Sequence, residues 1–323
     1  MIANKKKKVE LISSLSRFGA LFILVVIGSM ISDVFLSGRN ISNVITNASV
    51  MIILGVGQTI AIITNGPDLS AGSIMTICAV IAAILVKTFG MFFLWAFGLA
   101  IILGIALGLL NGFMISKVGI PSFISTYGLQ WAVFGFAYLI LRGYVLYDFT
   151  ASFRFLGNGY LFGFIQMPIA VMIIVVISGI AVMKWTTLGR RFYSVGANSE
   201  SARLSGVDTD KTVIYAFMIS GGLAALAGIV LVARINAVQA DIGRSYLLPV
   251  IATVFMGGTS PTGGQGSIIG TVIGALIIAI VQNGMNLLAV PSEWREAIIG
   301  ALIIITVLID ILVRKRFTHL QKA

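Results

Sequence analysis

Charge is what this chain has least of. Only 10% of its 323 residues are Asp, Glu, Lys or Arg, against 58% apolar. A soluble domain of this length needs a more polar surface, and a mean hydropathy of +1.05 points to a polytopic membrane protein. Histidine occurs once, at His319, so neither a histidine general base nor a zinc site is expected, and no metal site at all. Cysteine also occurs once, at Cys78 in an apolar run. That excludes a disulfide framework and suits a small buried hydrophobe. No GxxxxGK(S/T) stretch is present, so the chain carries no such cradle for nucleotide phosphates. Gly264, Gly266 and Gly270 do not complete GxGxxG, and they lead into an apolar run without following a strand. Carboxylates within apolar runs are few: Asp33 and Asp310 lie near run ends, and Asp310 is spaced to pair with Arg314. A proton relay of the kind coupled carriers use has no evident members.

What is present reads as ten spans: 18–36, 41–65, 72–88, 92–116, 121–141, 167–187, 211–233, 245–258, 266–289 and 295–313. Most reach the ~20 residues that cross a bilayer core. The six prolines fall at or near span ends. Residues 1–17 read as a basic inner segment, 18–313 as one transmembrane domain and 314–323 as an inner tail. With both termini cytoplasmic, fifteen basic residues face inward and seven outward, as the positive-inside rule requires. The net charge of +11 is then explained by topology and anionic lipid, and nucleic acid is not an expected partner.

The longest polar run between spans is 189–211. Its middle reads as one short helix between two glycine-bearing turns: Asn198 as N-cap, Ser199 to Ser205 as body and Gly206 as the stop. Two turns are marginal alone in water, so this helix must be held by its own bundle or by another protein. Glycine recurs every fourth residue at Gly104, Gly108 and Gly112 and again at Gly266, Gly270 and Gly274, two ridges suited to close helix crossing. Two glycine-rich breaks interrupt the apolar pattern, NGPDLSAGS at 65–73 and GGTSPTGGQGS at 257–267. Non-helical backbone at membrane depth must be buried in protein or line a wet cavity. Candidate path or gate residues are therefore Gln58, Asn65, Asp68, Ser70, Ser73, Gly257, Gly258, Thr259, Ser260 and Asn283, with Asp68 suited to cap the third span. The polar groups of the spans are mostly neutral amides, Gln58, Asn65, Asn111, Gln130, Gln282, Asn283 and Asn286. Amides suit a neutral hydroxyl-rich solute as a set, while at any single position a bond between helices is the plainer role. The segment 142–166 is rich in Tyr and Phe and reads as an interfacial belt with a short surface or re-entrant helix.

Three ordered stretches carry a family resemblance. Gly189–Arg190–Arg191, Val195–Gly196–Ala197–Asn198 and Ser201–Ala202–Arg203–Leu204–Ser205–Gly206–Val207 together resemble a cytoplasmic signature of the permease subunits of bacterial ABC importers of the ribose, xylose, arabinose and galactose group. NGPDLSAGS resembles that family's GGIDLSVGS, and GGTSPTGGQGS its GGTSLxGGxGS; the likeness runs from about residue 40 to 312. It implies a type II importer-like all-α permease of ten spans, with spans 2–5 and 7–10 as an inverted repeat. Its loop 188–210 would couple to a cytoplasmic ABC ATPase through Gly189, Arg190, Arg191, Gly196, Asn198, Ser201, Ala202, Arg203, Leu204 and Gly206. A second permease copy or paralogue and an extracytoplasmic solute-binding protein complete the implied assembly in the bacterial inner membrane. ATP and magnesium would sit on the ATPase, with no cofactor on this chain. Asn65 and Pro67 depart from the family pattern, and Ser245–Tyr246–Leu247–Leu248–Pro249 replaces an acidic start to the eighth span. That variant also resembles permeases for furanose-like signals and polyols. The reading is an importer permease for a neutral carbohydrate; the alternative is a secondary carrier working alone.

Overall fold

A computed structural model describes residues 18–291, 293–305 and 308. The basic segment 1–17, the Asp310–Arg314 pair, His319 and the tail 314–323 lie outside the described residues. A helix occupies each of the ten apolar stretches. These are α1 (Phe18–Ile31), α2 (Gly38–Thr64), α3 (Ala71–Lys87), α4 (Phe93–Ser116), α5 (Ser122–Leu141), α7 (Met167–Trp185), α10 (Thr209–Ile235), α11 (Leu247–Met256), α12 (Ile268–Leu287) and α13 (293–305). Three further helices, α6 (Ala151–Asn158), α8 (Thr187–Ala197) and α9 (Ser199–Leu204), lie between them. Among the described residues, six helices, α2, α4, α5, α7, α10 and α12, are long and apolar enough to cross a membrane.

Several span ends differ from the expectation. The first run was read to 36, but its helix stops at Ile31. Phe35 turns back onto Gly28 in a bend closed by Phe35 N–H donating to Ser32 O (3.0 Å), and Ser37 caps α2. The eighth run, read as 245–258, holds a helix of only ten residues after a 3₁₀ turn at Arg244–Tyr246. Gly266 belongs to the second glycine break and not to α12, whose N-cap is Ser267, so only Gly270 and Gly274 of that ridge are helical.

The core is built around α2 and α10, each 27 residues long and apolar on almost every side, as a helix enclosed by others must be. Small residues let backbones meet. A Cβ at Gly104 would lie 2.5 Å from the Gly221 carbonyl oxygen, one at Gly112 would lie 2.7 Å from Ile214 Cα, and one at Gly108 would overlap the Phe217 carbonyl. The α4 ridge thus lies directly on α10. Gly274 and Gly257 similarly close α12 onto α11.

The aromatic segment 142–166 is more built than a belt. Two-residue ribbons pair Leu146–Tyr147 with Ala237–Val238 and Tyr160–Leu161 with Ile165–Gln166. Phe153 of α6 is fully buried, with Phe97 and Phe149 rings 5.2 and 4.8 Å away. Asn158 Nδ2 donates to the Ala233 and Arg234 carbonyls (3.1 and 3.0 Å), satisfying two of the last acceptors of α10. Tyr144, Phe162 and Phe164 remain exposed.

Gly108→Leu should cost about 1–3 kcal/mol or prevent assembly of the α4–α10 contact. Gly128→Leu, where a side chain meets open space, should be tolerated. Thermal unfolding and monodispersity of the two purified variants distinguish these outcomes.

Candidate functional site

The segment read as one short helix between glycine turns holds that helix and a second one before it, where a turn was expected. Thr186 caps α8, its Oγ1 accepting from Gly189 N–H (3.2 Å), so Gly189, Arg190, Arg191 and Gly196 are all helical. Apolar Leu188, Phe192 and Val195 recur at helical spacing, with Phe192 and Val195 buried. That period was visible in the sequence but obscured by the glycines. Asn198 then caps α9, accepting from Ser201 N–H at 2.8 Å. The helix ends at Leu204, one residue earlier than expected. Gly206, at φ +82°, closes it: Gly206 N–H donates to Arg203 O and Val207 N–H to Ala202 O, both at 3.0 Å.

Helix α9 is anchored by one side chain. Ala202 is buried in a cluster with Ala61 of α2, Ile115 of α4, Val195 of α8, and Val213 and Phe217 of α10. The rest of α9 is exposed, including Leu204 at 75%. Arg203 makes a two-pronged pair with Glu200 (3.0 and 2.6 Å), whose hydrogen bonds and charge hold the Glu200 carboxyl below its ordinary range. Beyond α9, the backbone N–H of Lys211 and then its ammonium lower Asp208, the N-cap of α10. Lys117 at the end of α4 pairs with Asp210 (2.6 Å).

Helix α8 touches the last turn of α2, just ahead of the first glycine break, and the second break itself. A Cβ on Gly196 would collide with the Ile63 carbonyl of α2 and lie 2.7 Å from Gly264 N. Gly264 N–H itself donates to Ile63 O (2.8 Å), and the Tyr193 hydroxyl donates to Gly266 O (2.9 Å). Helix α8, the end of α2 that leads into the first break, and the second break therefore meet at one end of the bundle. Gly257 is the C-cap of α11, Gly258 follows at φ +82°, and Thr259 and Ser260 are buried. Ser260 N–H donates to Gln265 O (2.9 Å), closing the second break on itself.

Asp68 does not cap α3. Ser70 holds the N-cap position, and Asp68 stands two residues before it, fully buried. One carboxylate oxygen accepts from Ser70 N–H (3.0 Å) and Ser70 Oγ (2.6 Å), the other from Ser220 Oγ of α10 (2.7 Å). Ser70 Oγ accepts from Asn111 Nδ2 (2.7 Å), and Asn111 Oδ1 accepts from Ser125 Oγ (3.1 Å). With its amide oriented to satisfy both groups, Gln58 donates to the Asp68 carbonyl (3.2 Å) and accepts from its N–H (3.1 Å). The network ties α2, α4, α5 and α10 to the first break. Among the described residues, no cation pairs with this carboxylate.

The remaining candidates lie apart. Asn65 is the exposed C-cap of α2, and Ser73 Oγ donates to the Ser70 carbonyl (2.8 Å). Asn283 exchanges amide bonds with Asn40 (3.0 and 2.8 Å). Sequence reasoning passed over Asn40, because its partner lies 243 positions away.

At the opposite end, where α6 packs, two cavities of about 410 and 430 Å³ adjoin the last turn of α10 and share Leu231, Ile235 and Tyr246. The first is polar, with Asn47, Asn158, Gln166 and Arg234 in its wall. The second is lined by 239–246, the chain between α10 and α11. That chain descends until Gly243 N–H donates to Thr76 Oγ1 (2.9 Å) and Gly243 abuts Gly72, the second residue of α3. None of the cavity-lining arginines was among the sequence candidates.

A family model described as "branched-chain amino acid transport system / permease component" matches residues 40–307. The chain belongs to this permease family. As a family member it is a transport component and not an enzyme, a helical protein of the membrane. The ribose import permease protein RbsC of Escherichia coli K12 is 36% identical to this permease over 302 residues, covering 90% of this chain and 91% of that one. The D-allose transport system permease protein AlsC of the same organism is 34% identical over 322 residues, 97% of each. A probable ABC transporter permease protein of Sinorhizobium fredii is 31% identical over 294 residues, 90% of this chain and 87% of its own. No solved structure matches the permease.

Ser220→Ala strands one oxygen of the Asp68 carboxylate. It should destabilise the permease by about 1–3 kcal/mol, whereas Ser205→Ala at the exposed C-cap of α9 should change stability by less than about 0.5 kcal/mol. Thermal unfolding in nanodiscs measures both.

Proposed function

We propose that this permease is the membrane-spanning subunit of an ABC importer and forms the passage for a neutral monosaccharide. The observation that carries the reading is its likeness, over nine-tenths of its length or more, to permeases named for ribose and allose. The family description names branched-chain amino acids instead. A zwitterion asks for two compensating charges along its route. The buried polar groups linking these helices are amides and hydroxyls, and Asp68 is already committed to Ser70 and Ser220. Hydroxyl-rich solutes fit that inventory better.

The proposed topology has ten crossings in the bacterial inner membrane, with both termini and the α8–α9 end cytoplasmic. The distribution of Lys and Arg supports it. The meeting of Gly72, at the start of α3, with Gly243, just before the 3₁₀ turn that leads into α11, supports an inverted pairing of spans 2–5 with 7–10.

Helix α9 is then the seat of the ATPase. It is exposed where a bundle helix would be covered, and it presents Leu204 beside a charged pair. Its one buried side chain, Ala202, touches a cluster drawn from α2, α4, α8 and α10. Closure of a motor on α9 would reach all four. ATP and magnesium belong to that motor; a binding protein would deliver sugar at the other end, and a second copy or paralogue would complete the passage.

Proteoliposomes holding the permease, its ATPase and its binding protein should import labelled D-ribose or D-allose with ATP and stop with vanadate. Uptake by this chain alone under an ion gradient would establish the stand-alone carrier instead; uptake of L-leucine but no sugar would overturn the solute class. Leu204→Asp should weaken co-purification of the ATPase about tenfold or more. Gly206→Pro should do the same, since it removes the Gly206 N–H bond and forbids φ +82°. Unchanged co-purification of both variants would rule out α9 as the docking element.

A further inference from the structure

Arg244 stands where an arginine facing lipid would be very costly. The residue before it, Gly243, is bonded to Thr76 and packed on Gly72 inside the bundle. Its guanidinium lies 5.4 Å from the centre of the Trp131 ring and 5.9 Å from that of Phe134. Trp131 is halfway along the 20-residue α5. Among the described residues no carboxylate forms an ion pair with Arg244, and Arg244 and Ser245 are exposed in this chain.

The aromatic partner is equally out of place for a lipid-facing wall. Trp131 is 49% exposed and Tyr127, one turn away, 45% exposed, with ring centres 6.1 Å apart. Trp and Tyr favour the two membrane interfaces, where their polar atoms meet water. A charged group at mid-bilayer faces protein or a water-filled cavity, as must non-helical backbone at that depth. The 430 Å³ cavity lined by Gln239, Asp241 and Arg244 runs along this same descending chain. Together these observations call for water or protein, not lipid, against the α5 face beside Arg244.

We infer that Trp131, Tyr127 and Arg244 form a carbohydrate-binding step at the floor of a water-filled vestibule. The inference rests on the sugar-import reading above. The indole and phenol rings would accept the C–H face of a furanose or pyranose ring, and the guanidinium, held beside the Trp131 ring, would donate to sugar hydroxyls. A neutral sugar satisfies both surfaces without bringing a charge to mid-membrane.

The test uses the assembled importer in proteoliposomes with D-ribose and D-allose as probes. Trp131→Leu and Arg244→Gln should each lower kcat/KM for uptake about tenfold, while Trp131→Phe stays within about threefold. A second arm asks whether the face is wet, independently of transport. Cys78 is buried, so in a Cys78→Ala background Ser245→Cys should react with a charged, membrane-impermeant maleimide. Ile174→Cys, on the exposed side of α7, should not. Wild-type uptake by Trp131→Leu, or failure of Ser245→Cys to label, overturns the inference. If the unmodified importer carries no sugar, the transport reading fails instead, and the labelling arm still decides whether Arg244 faces water.

Discussion

A carboxylate buried with no cation paired to it among the described residues is the constraint to which much of this bundle conforms. Moving Asp68 out of water costs several kcal/mol unless its oxygens find donors. They find three: the Ser70 N–H, the Ser70 hydroxyl and the Ser220 hydroxyl. Asn111 holds the Ser70 hydroxyl, Ser125 holds Asn111, and Gln58 holds the Asp68 backbone, so each helix contributing a member is fixed in rotation and height. A network of this kind is favourable only when complete. Its members are correspondingly fully or almost fully buried.

Around that network the bundle is closed by proximity more than by burial of large side chains. Lipid is as apolar as leucine, so helices in a membrane gain little from the hydrophobic effect and depend on close van der Waals contact. The α4 glycines meeting α10, and Gly257 meeting Gly270, are contacts between backbones. They leave no room for even a methyl group. This explains why glycine is abundant here while the exposed faces of α4, α5 and α7 carry the large hydrophobics.

Much of this was legible in the sequence, and the failures have physical causes. The positions of the ten apolar helices, the cap and stop of α9 and the α4 ridge are local patterns, readable from a few neighbouring residues. Asp68 looked like a cap because Ser70 and the start of α3 follow it closely; its second partner, Ser220, is 152 positions away and no local pattern announces it. Gly266 kept the four-residue spacing of the α12 ridge yet lies before the Ser267 cap, because spacing alone does not locate a helix start. Helix α8 was missed although Leu188, Phe192 and Val195 had the right period. Its glycines suggested turns, whereas Gly196 is needed for contact with Ile63 and Gly264. The descent of 239–246 into the bundle was invisible for the same reason as the Ser220 bond: its partners, Gly72 and Thr76, are remote in sequence.

The two ends of the bundle differ in kind, and that difference is what transport by this permease would use. At the α8–α9 end a small, exposed helix hangs on one buried alanine, beside backbone contacts too tight to yield separately. Gly196, Ile63 and Gly264 would therefore move together, carrying the end of α2 and the second break with them. At the α6 end α10 is capped by Asn158 side-chain bonds, and cavities open beside its last turn. Between the two, Phe217 of the α9 cluster and Ser220 of the Asp68 network lie three residues apart on α10, less than one turn. A shift of α10 at its first end cannot pass that point without loading the Ser220–Asp68 bond. The buried carboxylate thus sits where a push on the exposed helix would be felt as a tilt of α10 and would reach the polar cavities beyond it.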